Sequence, residues 1–561
     1  MATLVETPIF KEYCSYLSTY KDKYGDKTVI LMQVGSFYEI YAVLNDTEQS
    51  GELDIYHICN NVMNISVAKK TNQILMAGFQ LPYSEKFIRV LIEDGYTVVL
   101  VQQVSEPPNP IRKVTDIISP GTYMEYSDTT TSYIMSVFIE KISHSFIAVG
   151  ISIIDVSTGN NYVYQIGENL DPQFWKDEIS RLINYYSPKE FLFQSKNYEL
   201  SEKDIVNFWD IDNSTLQINH YKENTFLSIE YQNELLEKVF HYESLLTPIE
   251  HLDMVHTHEL RNSYIFMLQY IYEHTQDIIQ NIHEPQKINN IHHLSLTSNS
   301  VRQLNVVNNY SYYKGKNESL YSICDECGFI GGKRLLKERL LYPSVNPEVL
   351  NKRYLKIEKT MNQDFYALLK PELSKLTDIE KSLRKMGLQK LDTQQFMNSK
   401  LSYDFIIRII DILDTNSELH LLYEEYFADI DRFKVFYKKI QSLFEFSHFY
   451  SNDLSYFKRG IYSDLDEISD RIQMSRDHLK YIADRLSNII DADNSCKFDN
   501  NDKYGYFLYC TKKRSTILKD RFKNIPNHTI NIRDDQSTIL YTIASNTFSY
   551  SKKDNNNVFI E

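Results

Sequence analysis

The periodicity of the apolar residues changes partway along the chain, and that change limits the possible folds more than any other feature. Before residue 246 the apolar runs are short and β-rich: Val29-Ile30-Leu31-Met32, Ile74-Leu75-Met76, Thr97 to Val101, Tyr133 to Ile139 and Phe146 to Val156. Amphipathic stretches such as Ser84 to Asp94 lie between them, a pattern that predicts mixed α/β structure. After residue 246 the pattern is helical, with segments at Leu260 to His274, Gly332 to Leu340, Val349 to Leu368, Tyr403 to Leu413 and Asp464 to Ile489. Two later stretches, Lys503 to Tyr509 and Thr538 to Ser545, alternate like strands and predict a β-containing module among the helices.

A chain of 561 residues cannot close around one core, and at about 150 residues per domain three or four domains are expected. Turn-forming residues at Glu106-Pro107-Pro108-Asn109-Pro110 and Ser119-Pro120-Gly121 mark an exit from the first. The predicted boundaries are 1–125, 126–245, 246–455 and 456–561: two α/β domains, a mostly helical one, and a final one with strands.

With 42% hydrophobic and 24% charged residues the composition is that of a folded chain rather than a disordered one. The longest apolar runs fall well short of the roughly 20 residues that span a bilayer. The first residues lack a basic segment followed by an apolar run, so an intracellular protein with no membrane partner is expected. Six scattered cysteines show no disulfide framework and are expected to serve packing. A net charge of −15 argues against a uniformly basic nucleic-acid binder, because duplex affinity depends on neutralising phosphates; any such contact must be local.

Four ordered segments then give the chain a family likeness. Val34-Gly35-Ser36-Phe37-Tyr38-Glu39-Ile40-Tyr41 resembles the Gly-Asp-Phe-Tyr-Glu-Leu-Phe element of the MutS DNA mismatch-recognition family, with Ser36 in place of the Asp. Ile65 to Lys70, Met76-Ala77-Gly78-Phe79, Gly95 to Val98, Gln102-Gln103-Val104 and Ile118 to Thr122 are similar to later landmarks of the same domain. Ala148 to Asn160 resembles the opening strands of the family's connector. His293 to Asn305, Leu320 to Ile323, Gly331 to Leu336, Leu340 to Pro343 and Arg353 resemble its helical core. Arg459 to Ile468 with Tyr504 to Phe507 resembles the entry to its DNA clamp.

The resemblance implies a multidomain α/β plus α fold: a small mixed α/β mismatch-recognition domain, a ribonuclease H-like connector, and a long-helix core and lever with a β-containing clamp. It implies that Phe37 stacks into the duplex at a mispair while Glu39 hydrogen-bonds a displaced base. An aromatic wedge costs a few kcal/mol of unstacking, so it favours sites where a mispair has already weakened stacking. A carboxylate beside DNA is useful only if it is protonated or meets a base-edge donor. In isolation a Phe-Tyr-Glu triplet reads as ordinary strand residues; the ordered landmarks favour the wedge.

Lys69, Lys70, Arg112 and Lys113 are candidates to hold the flanking phosphates. Residues 503–523 carry seven basic residues, Lys503, Lys512, Lys513, Arg514, Lys519, Arg521 and Lys523, against the single acid Asp520, with Tyr504, Tyr506 and Tyr509 interleaved. In an acidic protein this concentration reads as a phosphate-tracking surface, the alternative being a solvated hairpin face.

Other signals carry less. Gly328 to Lys333 superficially resembles a nucleotide loop, but the glycine spacing is short and Arg334 stands where a magnesium-binding hydroxyl is required. Cys324-Asp325-Glu326-Cys327 lacks a second metal-ligand pair, and the pairs His256 with His258 and His292 with His293 lack zinc-site spacing. Asp155 invites a nuclease reading, but no carboxylate set assembles around it. No catalytic residue, metal or cofactor is therefore expected in this chain. Glu561 is expected to precede the rest of the clamp, the second half of the lever and the nucleotide-binding domain, with ATP and Mg expected only there. The expected partners are duplex DNA with mispairs or small loops, a second MutS-type subunit and a MutL-like repair factor; the competing expectation is a shortened interaction or scaffold subunit without mismatch recognition of its own.

Overall fold

A computed structural model describes residues 8–43, 53–70, 74–105, 110–124, 132–143, 146–167, 171, 173–209, 211, 216–218, 224–288, 293–294, 296–307, 318–361, 365–416, 429–450, 455–490, 495–501, 505–524, 529–533, 539–544, 547–554 and 556–561. The chain divides into two compact units, residues 1–428 and 429–561. Most of the Pro-rich turn at 106–110, the boundary near 125, His292, Lys503 and Tyr504 lie outside the described residues.

The first unit opens with helix α1 (Pro8–Tyr24) and strands β1 (Thr28–Val34), β2 (Phe37–Val43), β3 (Ala68–Lys69) and β4 (Ile74–Gln80), then α2 (Ser84–Glu93), β5 (Thr97–Gln103) and β6 (Arg112–Ile118). The strands form one sheet in the order β3-β4-β2-β1-β5-β6. Only β1 and β5 run parallel, joined through the rest of the domain; the other neighbours are antiparallel. The runs at 29–32 and 98–101 are buried because α1 and α2 contribute Phe10, Tyr13, Leu17, Phe87 and Leu91 to the core around this sheet.

A second sheet follows, of β7 (Tyr133–Lys141), β8 (Ile147–Asp155), β9 (Asn161–Ile166), β10 (Glu190–Lys196), β11 (Leu216–Ile218) and β12 (Gln286–Lys287), in the order β11-β10-β7-β8-β9-β12. Strands β7 to β9 form an antiparallel meander, and β10 and β11 add in parallel beside β7. Both faces are covered, which is why β7 and β8 read as continuous apolar runs. Val137, Ile139 and Ile151 pack with Trp175, Ile179 and Leu182 of α3 (Phe174–Tyr186) and with Ile205 and Trp209 of α4 (Glu202–Trp209). Ile134, Phe138 and Ile154 face the other way, into a core with α5 (Ile229–Val239) and with α7 (His258–His274), which follows the short α6 (Pro248–His251).

The placement of α7 departs from the expected boundary at residue 245. This helix lies directly on β7 and β8, and β12 extends the same sheet. Gly150 permits the approach: a Cβ there would lie 2.1 Å from the backbone of Glu259. Gln165, paired with Gly150 on β9, accepts from Leu260 N (2.9 Å) and donates to Glu259 Oε2 (2.8 Å), satisfying the start of α7.

Seven helices between Ser298 and Thr415 complete the described part of this unit. The would-be nucleotide loop at 328–333 leads into the helix Ile330–Leu341, whose Arg334 makes a bidentate pair with the buried Asp378 (2.6 and 3.0 Å) and also meets Glu380 (2.9 Å).

The second unit holds the helices Ile430–Leu443 and Ser463–Ile490, a four-stranded sheet of β13 (Cys496–Asn501), β14 (Gly505–Thr511), β17 (Tyr550–Lys552) and β18 (Asn557–Ile560), and the hairpin of β15 (Thr529–Arg533) and β16 (Ile539–Ala544). Ile482, Leu486 and Ile490 of the long helix pack against Cys496, Leu508, Cys510, Leu518 and Ile560. All six cysteines are free thiols, three of them buried. Among the described residues no helix is long and apolar enough to cross a membrane.

Candidate nucleic-acid interface

Strands β1 and β2 meet in a two-residue turn, Gly35-Ser36, closed by the pair Val34 and Phe37. Gly35 takes φ +61°, which a side chain would disfavour. The turn is tied down on both sides. Leu81 N donates to Ser36 O (3.0 Å), and Gln103, with its amide oriented to satisfy its neighbours, accepts from Gly35 N (3.2 Å) and from Arg112 (3.1 Å).

Phe37 is the first residue beyond this turn. It is 40% exposed in a strand whose next residues are otherwise largely buried. Strand alternation puts Phe37, Glu39 and Tyr41 on one face and Tyr38, Ile40 and Ala42 on the other. The Tyr41 hydroxyl donates to Glu39 Oε2. Its ring is buried edge-on against Phe10 and Tyr13 of α1, at 6.2 and 5.3 Å between centroids. Burial first, and then the bond to Glu39, hold the Tyr41 phenol above its ordinary range. Gly78 stands directly across from Glu39 on β4.

The four basic candidates of this domain separate according to exposure. Lys69, Lys70 and Lys113 are exposed, and Lys70 Nζ lies 5.7 Å from the Tyr41 ring centroid, on the Phe37 face. Arg112 does not present its guanidinium to a ligand. Its side chain is 7% exposed, Nε donates to Gln33 O (2.9 Å), and a terminal nitrogen pairs with Glu12 Oε2 of α1 (3.3 Å). Arg112, expected to contact a phosphate, is engaged within the domain, where its guanidinium braces the turn that carries Phe37. Its burial follows from alternation, which turns Arg112 inward wherever Lys113 turns out.

In the second unit the basic run divides similarly. Residues Lys512–Asn524 form a helix rather than a hairpin face. Lys512, Lys513, Lys519 and Lys523 are exposed, and Lys519 Nζ sits 4.7 Å from the Tyr550 ring centroid. Arg514 and Arg521 are half-buried; they donate to the carbonyls of Ser495 (3.4 Å) and Ile489 and so serve the module's own packing.

The remaining candidates are accounted for locally. Asp155 is buried and accepts from Ser157 N (2.9 Å) and Ser157 Oγ (2.6 Å) in the turn after β8. His293 stacks on Tyr342 (4.0 Å). No group of three or more potential metal ligands occurs among the described residues.

Comparison with known proteins places these domains. Family models match in three stretches: MutS domain I over residues 7–127, MutS domain III over 299–445 and MutS family domain IV over 460–545. A putative DNA mismatch repair protein mutS homolog of Acanthamoeba polyphaga mimivirus is 27% identical over 91% of this chain and 50% of its own length. The DNA mismatch repair proteins MutS of Clostridium tetani and Caldanaerobacter subterraneus are 24% and 25% identical, over 92% and 93% of this chain and 55% and 57% of theirs. Matches in this order over the first sheet domain, the later helices and most of the second unit define a multidomain class of protein. The chain belongs to the MutS family. It spans about half the length of the curated relatives it matches.

Proposed function

We propose that this chain binds duplex DNA at mispairs, with Phe37 as the wedge and Glu39 as the base contact. The observation that carries this reading is the braced hairpin: an exposed aromatic at the end of a strand, behind a turn fixed by Gln103, Leu81 and Arg112, with a carboxylate on the same face. A preorganised wedge loses little entropy on insertion, so more of its stacking offsets the unstacking of the duplex. Exposed Lys70 shares its face and exposed Lys69 and Lys113 stand on the other face of the sheet, all three available to hold phosphates, and Lys512, Lys513, Lys519 and Lys523 supply a second, sequence-independent surface. Lys503 belongs with them by sequence.

On this reading residues 1–125 are the recognition domain and 126–245 the connector. A meander followed by two parallel strands is the strand arrangement of a ribonuclease H-like fold, and α5 to α7 with β12 travel with that sheet. Of residues 246–455, the part beyond β12 supplies the core and lever, and 456–561 the clamp. The chain is the sensing part of a repair protein and performs no catalysis itself; ATP hydrolysis, a second subunit and a MutL-like factor belong to the complete assembly.

The test is a duplex with 2-aminopurine beside a G·T mispair, compared with the same probe in paired DNA. Emission that rises on binding to the mispair alone supports wedge insertion. Equal, salt-sensitive binding to both without an emission change moves the chain to the scaffold reading that its charge of −15 favours.

A further inference from the structure

We propose that Tyr41 is a positioning residue for Glu39, and that this pair sets the spread of affinities among mispairs. The inference rests on the assignment of Glu39 as the base contact. Tyr41 is the last residue of the element at 34–41, and its hydroxyl reaches the carboxylate of Glu39 two residues earlier on the same face.

The ring of Tyr41 is immobilised. It is buried against Phe10 and Tyr13 on one helix and has Lys70 Nζ 5.7 Å from its centroid. Its hydroxyl therefore occupies a fixed place, and from there it donates to Glu39 Oε2. Phe at this position would keep the ring contacts and lose that one donor.

Across the strand pair, Gly78 leaves room for the stem of Glu39: a Cβ on Gly78 would lie 3.3 Å from Glu39 Cγ and 2.8 Å from Tyr38 O. The carboxylate is thus held at one oxygen and accommodated along its stem. Among the described residues Oε1 makes no recorded hydrogen bond. A carboxylate free at both oxygens rotates to meet a donor from many directions. One pinned at Oε2 presents the lone pairs of Oε1 in a single orientation. A mispair that brings an imino or amino N–H to that position is accepted, and one that brings a ring-nitrogen acceptor there is not. Fixing the acceptor widens the difference between the two.

The experiment measures binding of the full chain, wild type, Tyr41→Phe, Glu39→Ala and the double variant, to labelled duplexes bearing G·T, A·C or one unpaired T, and to paired DNA. Tyr41→Phe is expected to narrow the ratio between the best and worst mispair by about 2- to 10-fold, the effect of one hydrogen bond. It is expected to have no further effect once Glu39 is Ala. A role confined to packing would instead lower the urea midpoint and persist in the Glu39→Ala background. A wild-type spread that survives Tyr41→Phe overturns the positioning role and leaves Phe37 and Glu39 in place. A wild type with no preference for any mispair overturns both readings.

Discussion

Arg112 and Lys113 are adjacent on β6 and differ only in the face they occupy, so exchanging them one at a time separates bracing from phosphate binding. In Arg112→Met the chain loses the charged donor to Gln33 O and the link to Gln103 that holds Gly35. A hydrogen bond from a charged donor to a buried carbonyl contributes about 1.5–3 kcal/mol. The ion pair adds little, because Glu12 is 34% exposed and screened. The variant should therefore lose about 2 kcal/mol of stability, and lose mispair preference through a loosened hairpin, while the slope of log affinity against log salt stays as in wild type. Lys113→Ala should leave stability within about 0.5 kcal/mol and flatten that slope by about 0.9, the effect of one phosphate. Urea unfolding gives the first quantity, and anisotropy titrations between about 50 and 200 mM salt give the second. An Arg112→Met protein with wild-type stability and a slope flattened by about 0.9 would refute the bracing role and restore Arg112 as a phosphate ligand.

Two further outcomes follow from burial. Gly150→Ala must move α7 away from the second sheet by over an ångström to relieve a 2.1 Å contact with Glu259, and should cost about 3 kcal/mol in urea unfolding; a stabilised protein, the usual result of Gly→Ala at an unconstrained site, would contradict the packing described. Glu190, fully buried beside Gly121 and Tyr270, has its carboxyl raised by burial from 4.5 to about 7. A raised folded-state pKa gives stability that is complete below about 4.5 and is lost as pH rises to about 7, a change on the order of 3 kcal/mol. Nearby His274, lowered by burial to about 4, acts oppositely, losing stability as pH falls from 6.5 toward 4. Glu190→Gln should remove the first of these trends from stability measured between pH 5 and 8 and leave the second, whereas an unchanged profile would sink the assignment.

The class of each half was legible because it depends on periodicity, which the chain carries locally. The continuous apolar runs of β7 and β8 fit the sheet buried on both faces that the structure shows. What covers it was not legible by spacing: Leu260 to His274 reads as a helix wherever it packs. Its apolar residues do fall on every side, as at Tyr264-Ile265-Phe266-Met267-Leu268, and a helix apolar all round is one enclosed by its neighbours; that signal would have assigned it to the sheet. That Phe37 and Glu39 share one face follows from the Phe-x-Glu spacing on a strand; the role proposed for them comes from the family resemblance. Arg112 and Lys113 read in the sequence as one basic patch, although strand alternation sends neighbours to opposite faces, one buried and one exposed. The run at 512–523 was likewise blurred until its helical period put Arg514, Leu518 and Arg521 inward and Lys512, Lys513 and Lys519 outward. The Tyr41 hydroxyl carries no meaning in the sequence element without the buried ring that fixes it.

The central claim is that Phe37 reads the mispair. Its most direct test is the ratio of affinities for a G·T duplex and its paired counterpart at one fixed salt concentration, in wild type and in Phe37→Ala. The account predicts a clear mispair preference in wild type that falls to near unity in Phe37→Ala, while binding to paired DNA, held by the lysines, is retained. A preference that survives the loss of Phe37 would contradict it.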